Sequence, residues 1–215
     1  FQSSFHLGLE YRLKEGWKTY WIDPGEGGFP QTIDWEKSKN LSSLRILWPT
    51  PSEFEILGLK SIGYSNEVVF PIEIKLKDKN KKTNFVFNIN FLTCKDICIP
   101  GEAKLILNLS PGKGKVTEHS FKIEKYLSKV PDKNNIVNGL EINKVETFSN
   151  NNFSKITIDA ISQKPFKNPK LFLKSDLGLP IADPVLLFSS SNKSLKATYL
   201  FDKSLIPDSE FLLSV

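Results

Sequence analysis

The chain of 215 residues has two cysteines, four positions apart in FLTCKDICIP (residues 91–100). A thiol pair has three kinds of chemistry open to it. It can close a structural disulfide, it can exchange electrons by attack of a thiolate on a partner's disulfide, or it can supply half of a metal site. Four fully extended steps would part the two Cα atoms by about 13 Å, whereas a disulfide needs roughly 4.4–6.8 Å. The chain must therefore reverse between Cys94 and Cys98. Strand-like flanks at 84–92 and 103–109 make Lys95-Asp96-Ile97 a three-residue hairpin loop that sets the cysteines opposite each other. A bridge across so short a loop restrains the unfolded chain little, and exposed small-loop disulfides are the labile, exchange-active kind. Most disulfides of exported proteins are nevertheless structural. On these residues alone, the redox pair and the structural bridge both remain open. A metal site would have to recruit His6 and His119, the only histidines, without zinc-ligand spacing.

Other motifs carry less. DPGEGGFP (23–30) is glycine-rich, but Phe29-Pro30 blocks the helix that a dinucleotide fingerprint must open, so it reads as a turn. SPGKGKVT (110–117) has Val116 where a phosphate loop places its magnesium-binding hydroxyl. No G-x-S-x-G elbow occurs, and paired acidic catalysts cannot be recognised without a fold.

The elements that must position the cysteines are strands. Phe5, Leu7, Leu9, Tyr11 and Leu13 alternate with His6, Gly8, Glu10 and Arg12, the period of a half-buried strand. Similar runs follow at 44–48, 67–76, 83–92 and 103–109, and a helix is expected over 116–129, ended by Pro131. The turn-rich VPDKNNIVNG (130–139) reads as a linker, followed by strand runs at 140–148, 153–160, 169–174, 185–189, 195–201 and 210–215. The expected fold is mainly β: two tandem β-sandwich domains, 1–129 and 139–215, joined by a short helix and linker. The second has neither Cys nor His, which leaves it a docking or spacer role. Parity puts Phe85, Phe87, Ile89 and Phe91 on one face of their strand and Asn88, Asn90 and Cys94 on the other, with Leu105, Leu107 and Leu109 opposite Cys98 on the returning strand. Both cysteines should then project away from the apolar face, unlike the core staple of an immunoglobulin domain. Pro100 cannot donate to a ladder, which places that stretch at an edge or bulge.

Composition narrows the class further. The net charge of +5 is almost all scattered lysine, with Arg12 and Arg45 the only arginines, and this argues against nucleic-acid binding. No apolar run reaches the roughly 18 residues of a membrane span. The strand-like start and the closing FLLSV give the expectation of a piece of a longer protein.

Several segments in order bear a resemblance. GWKTYWIDPGEGGFPQTIDW (16–35), LWPTPSEFEILGLKSIGY (47–64), EVVFPIEI (67–74) and FLTCKDICIPGEAKLIL together resemble the amino-terminal periplasmic region of DsbD-type thiol:disulfide interchange proteins, most nearly the ScsB-like branch. That resemblance covers about residues 5 to 110 and implies an immunoglobulin-like, cofactor-free protein-disulfide reductase domain in the periplasm, tethered to the inner membrane in the full-length protein. It further implies that electrons arrive from a membrane-embedded domain of the same protein and pass to periplasmic thioredoxin-like proteins. By the same resemblance Cys98 forms the mixed disulfide with the partner and Cys94 resolves it. Residues 52–64 occupy the place of a cap loop with Phe54 as shielding ring, while Asp96 and Glu53, if near the sulfurs, would raise the thiol pKa. Trp17, Tyr20, Trp21 and Trp35 are expected in the core. The chain departs from the better-known branch in having three residues, not five, between its cysteines. The reading from another class is a non-catalytic binding or assembly module whose disulfide pins a hairpin.

Overall fold

The computed structural model describes residues 4–112, 116–131, 139–175, 183–202 and 213–214. The chain falls into two compact units, Phe1–Pro131 and Asp132–Val215.

In the first unit β1 (Ser4–Arg12), β2 (Lys18–Gly25), β3 (Thr32–Asp34), β4 (Leu41–Ile46), β5 (Ser52–Ile56), β6 (Leu59–Ser65), β7 (Glu67–Leu76), β8 (Thr83–Cys94) and β9 (Cys98–Leu109) precede the helix α1 (Ser120–Leu127). They form an antiparallel, immunoglobulin-like sandwich of two sheets. One has the order β1-β7-β4, and the other runs β3-β8-β2-β6-β5 with β9 added to β8. β7 lies between two strands, and Val68 to Ile72 are buried in succession because both its faces are covered. Phe70 anchors the core, with the rings of Tyr11, Trp48 and Tyr64 meeting it edge-on at centroid distances of 5.5, 5.3 and 5.1 Å.

The expected helix is shorter than 116–129. Its first turn is preceded by Thr117, whose carbonyl accepts from the Ser120 N–H and whose N–H donates to Ser120 Oγ, a local closure outside the helical ladder. Lys122 ties α1 to the sheet through Glu10 (2.6 Å) and Glu67 (3.0 Å), and the Tyr126 hydroxyl donates to the Glu67 carbonyl.

In the second unit β10 (Leu140–Ser149), β11 (Phe153–Ser162), β13 (Val185–Phe188) and β14 (Ser194–Asp202) make a sheet ordered β10-β11-β14-β13, while β12 (Lys174–Ser175) pairs with β15 (Leu213–Ser214). Ile156, Ile158, Ala197, Tyr199 and Phe201 form its buried cluster, covered by Leu171, Leu173 and Leu186. The expected strand at 169–174 shrinks to its last residue and the one after it. Of the expected 210–215 strand, positions 210–212 and 215 lie outside the described residues.

Candidate functional site

The cysteines close the hairpin of β8 and β9. Pairing runs without a register shift from Thr83 opposite Leu109 to Cys94 opposite Cys98, and the Lys95 N–H donates to the Ile97 carbonyl across the loop (3.0 Å). The two residues are disulfide-bonded, with their Cα atoms 4.1 Å apart. Among the described residues β9 pairs with β8 alone, so Cys98, Ile99 and Pro100 begin a sheet edge. The missing N–H of Pro100 is tolerated there.

The two sulfurs sit in unlike surroundings. Cys98 is exposed, whereas Cys94 is 0% exposed. Projection away from the apolar face, expected of both, does not give them the same exposure. With no bulge in the ladder, parity does carry Cys94 to the face opposite Phe85, Phe87 and Ile89. That face is not left to solvent at this end of the strand, because Tyr20, Ile56 and Leu92 enclose Cys94 in a second small cluster, against which Phe54 packs. On β9 the outcome is reversed, for Leu105 and Leu107 remain nearly half exposed instead of joining a core.

The enclosure is built by β2 and the β5–β6 hairpin. Lys18 is paired with Cys94, and the Thr19 hydroxyl donates to the Leu92 carbonyl (3.1 Å), which locks β2 beside the end of β8. The segment 52–64 is a hairpin rather than an irregular loop, turning at Leu57 and Gly58, both with positive φ (53° and 78°) as two-residue hairpin turns require. Phe54 lies half-buried on β5 with its ring centroid 5.9 Å from that of Tyr20, and Lys18 Nζ stands over the Phe54 ring, 5.9 Å from its centroid. Glu53 is exposed on β5 opposite Ile62, and Asp96 is exposed at the apex of the cysteine loop. The side chain of Lys95 lies over Gly16, where an added Cβ would come within 2.9 Å of its Cε.

Sequence reasoning placed Tyr20 in the core and missed what its hydroxyl does. It is buried (1% exposed), and the hydroxyl donates to Cys94 Sγ at 3.0 Å. Periodicity could not have found the pair, because β2 and β8 are 74 positions apart at these residues. Burial raises the Tyr20 phenol above its ordinary pKa, so the group stays a donor at neutral pH. The glycine-rich stretch expected to be an ordinary turn also belongs here. The Glu26 N–H donates to the Lys60 carbonyl (3.0 Å), and Glu26 Oε2 accepts from the Lys60 N–H (2.8 Å). A Cβ on Gly28 would run into the Tyr20 ring.

Such an arrangement leaves Cys98 exposed and keeps Cys94 in a small apolar cluster, with the Tyr20 hydroxyl on its sulfur. No group of three or more His, Cys, Asp and Glu side chains among the described residues is placed to hold a metal ion. None of the described helices is long and apolar enough to cross a membrane.

Comparison with known proteins gives three findings. Residues 1–110 match the family described as "Thiol:disulfide interchange protein DsbD, N-terminal". Among solved structures, the N-terminal periplasmic domain of ScsB from Proteus mirabilis is similar with a TM-score of 0.72 and 26% sequence identity, over 99% of this chain and 83% of that one. Curated protein sequences give no match.

Proposed function

The chain belongs to the DsbD N-terminal family of thiol:disulfide interchange proteins, and on that premise we propose that it is a periplasmic electron-relay domain working through Cys94 and Cys98. Membership gives it a part in thiol-disulfide interchange. The finer reading is that the pair receives electrons from a membrane-embedded domain of the same protein and hands them to periplasmic thioredoxin-like proteins, as a protein-disulfide reductase. The similarity to a periplasmic ScsB domain supports the compartment, and a tether to the inner membrane in the full-length protein is part of the same proposal.

One observation carries the chemistry: the bridge joins Cys98, an exposed residue on a sheet edge, to Cys94, a fully buried one. A sulfur can be attacked only where a thiolate can approach along the S–S axis, so Cys98 is the atom that exchanges with the partner. Cys94, held beneath Phe54, resolves the mixed disulfide from inside. The β5–β6 hairpin is a cap that limits access to the pair. Glu53 and Asp96 add negative charge around its rim, which favours protonated thiols in the reduced state. Residues 1–129 form the redox domain and 139–215 a docking or spacer domain.

The direct test mixes the reduced protein with an oxidised thioredoxin-like protein and follows both thiol contents. Two electrons should pass per pair, with the partner's disulfide lost as the Cys94–Cys98 bridge forms. A partner that stays oxidised over hours, with free thiols persisting on the chain, would overturn the proposal.

A further inference from the structure

Tyr20 places its hydroxyl on the less reachable of the two sulfurs, and that sulfur must become anionic when the bridge opens. A buried phenol needs a partner, yet a disulfide sulfur is a weak acceptor. A thiolate is a strong one, and a hydrogen bond to an ionised group is worth roughly twice a neutral one. The contact at 3.0 Å therefore gains strength as charge develops on Cys94, which is the differential stabilisation that lowers a barrier.

The ring lies between the glycine-rich loop and the β5–β6 hairpin. Gly28, at φ +96°, lets the loop backbone lie directly against the Tyr20 ring. Gly27 does the same for the cap, since a Cβ there would meet Leu59 Cδ1 at 2.7 Å. Glu26 fastens the loop to Lys60 on β6 through two hydrogen bonds, and the Phe54 ring packs against the Tyr20 ring with centroids 5.9 Å apart.

We propose that Tyr20 is a catalytic residue of the exchange, its hydroxyl stabilising the Cys94 thiolate, and that the glycine-rich loop 25–28 keeps its ring on the sulfur. This rests on the exchange reading above. In the reducing half-cycle a donor thiolate attacks Cys98 Sγ, a bond forms between those two sulfurs, the Cys94–Cys98 bond breaks, and its electron pair goes to Cys94 Sγ, which accepts the Tyr20 O–H. The donor's second thiolate then displaces Cys98. The donor dithiol is oxidised to a disulfide, the pair is reduced by two electrons, and each departing thiolate takes its proton from solvent. Delivery of electrons to an oxidised partner is the same sequence reversed.

The experiment compares wild type with Tyr20→Phe, oxidised, in reduction by dithiothreitol, and titrates the Cys94 thiol in Cys98→Ala with and without Tyr20→Phe. Because about half of a charge-assisted hydrogen bond is expressed in the transition state, reduction should slow about threefold to tenfold. The Cys94 thiol pKa should rise by about one unit. A folded Tyr20→Phe with unchanged rate and unchanged Cys94 titration would overturn the proposal, since a merely structural role moves neither. A wild type that dithiothreitol leaves oxidised would overturn the exchange reading itself, and this inference with it. Should Tyr20→Phe not fold, 3-fluorotyrosine placed at position 20 keeps the ring and strengthens the donor. Faster reduction is then expected, and an unchanged rate would overturn the proposal.

Discussion

At the scale of single residues the two cysteines are not equivalent, and the difference is one of access. Cys98 begins an edge strand and is exposed, while Cys94 ends β8 beneath Tyr20, Ile56 and Phe54. Cys94→Ala should accumulate a mixed disulfide between Cys98 and a thioredoxin-like partner, visible on a non-reducing gel and mapped by mass spectrometry. Cys98→Ala should accumulate none, and an adduct on Cys94 would reverse the assignment. Phe54 packs, half-buried, against the cluster that encloses Cys94, and the proposed cap assigns it the shielding ring. Phe54→Ala should cost about 1–3 kcal/mol, less than for a fully buried ring because Phe54 is only half-buried, and should speed reduction of the bridge by a small dithiol. Chemical denaturation and stopped-flow thiol release measure the two effects. A slower reaction would show that the ring does not shield the pair.

At the scale of elements, the cap depends on how tightly β2 and β6 approach. Gly63 pairs with Tyr20, and a Cβ at that position would strike the Thr19 carbonyl and lie 2.8 Å from Tyr20 Cα, both backbone atoms that cannot swing aside. Gly63→Ala should therefore destabilise the first unit by about 1–3 kcal/mol or more, measurable in urea, and should expose the cysteine pair to alkylation after reduction. The docking of α1 has a pH signature. Hydrogen bonds from Arg12 and then Lys122 hold the Glu10 carboxyl down at about 2, below the ordinary value of 4.5. Its contribution is present above that ordinary value and is lost as pH falls from there through about 2. Glu10→Gln should thus lower thermal stability slightly at neutral pH, by an amount that shrinks in high salt because the groups are partly exposed. The difference from wild type should vanish towards pH 2. A difference independent of pH would mean that the ion pairs are not its source.

The same elements show what the sequence makes legible. Strand β7 is readable to the residue at 67–76, because turn residues bound a run with a continuous apolar centre at 68–72. The cysteine hairpin followed from the spacing of Cys94 and Cys98 between two strand-like flanks. β2 and β6 gave no period-two signal because they do not alternate: Thr19, Tyr20 and Trp21 are buried in succession, as are Ser61 to Tyr64. Both of their faces are covered, and only tertiary packing decides that. For the same reason parity gives the face of Cys94 and not its exposure. Tyr20 reaches the sulfur through a contact that no local pattern encodes.

At the scale of the whole molecule, both cysteines lie in the first compact unit, and residues 139–215 hold neither Cys nor His. A chain ending before residue 139 should keep the reaction of its Cys94–Cys98 bridge with dithiothreitol, whatever happens to partner docking. Loss of that reaction in a truncated chain that still melts cooperatively would assign the second unit a chemical role. The central claim is that this bridge opens and closes in use instead of stapling a hairpin. Structural disulfides have reduction potentials below about −300 mV, whereas exchange-active pairs lie at roughly −120 to −270 mV. Equilibrating the protein in glutathione or dithiothreitol redox buffers and quantifying the oxidised fraction should give a Cys94–Cys98 potential within the exchange-active range, and a value well below about −300 mV would contradict the account.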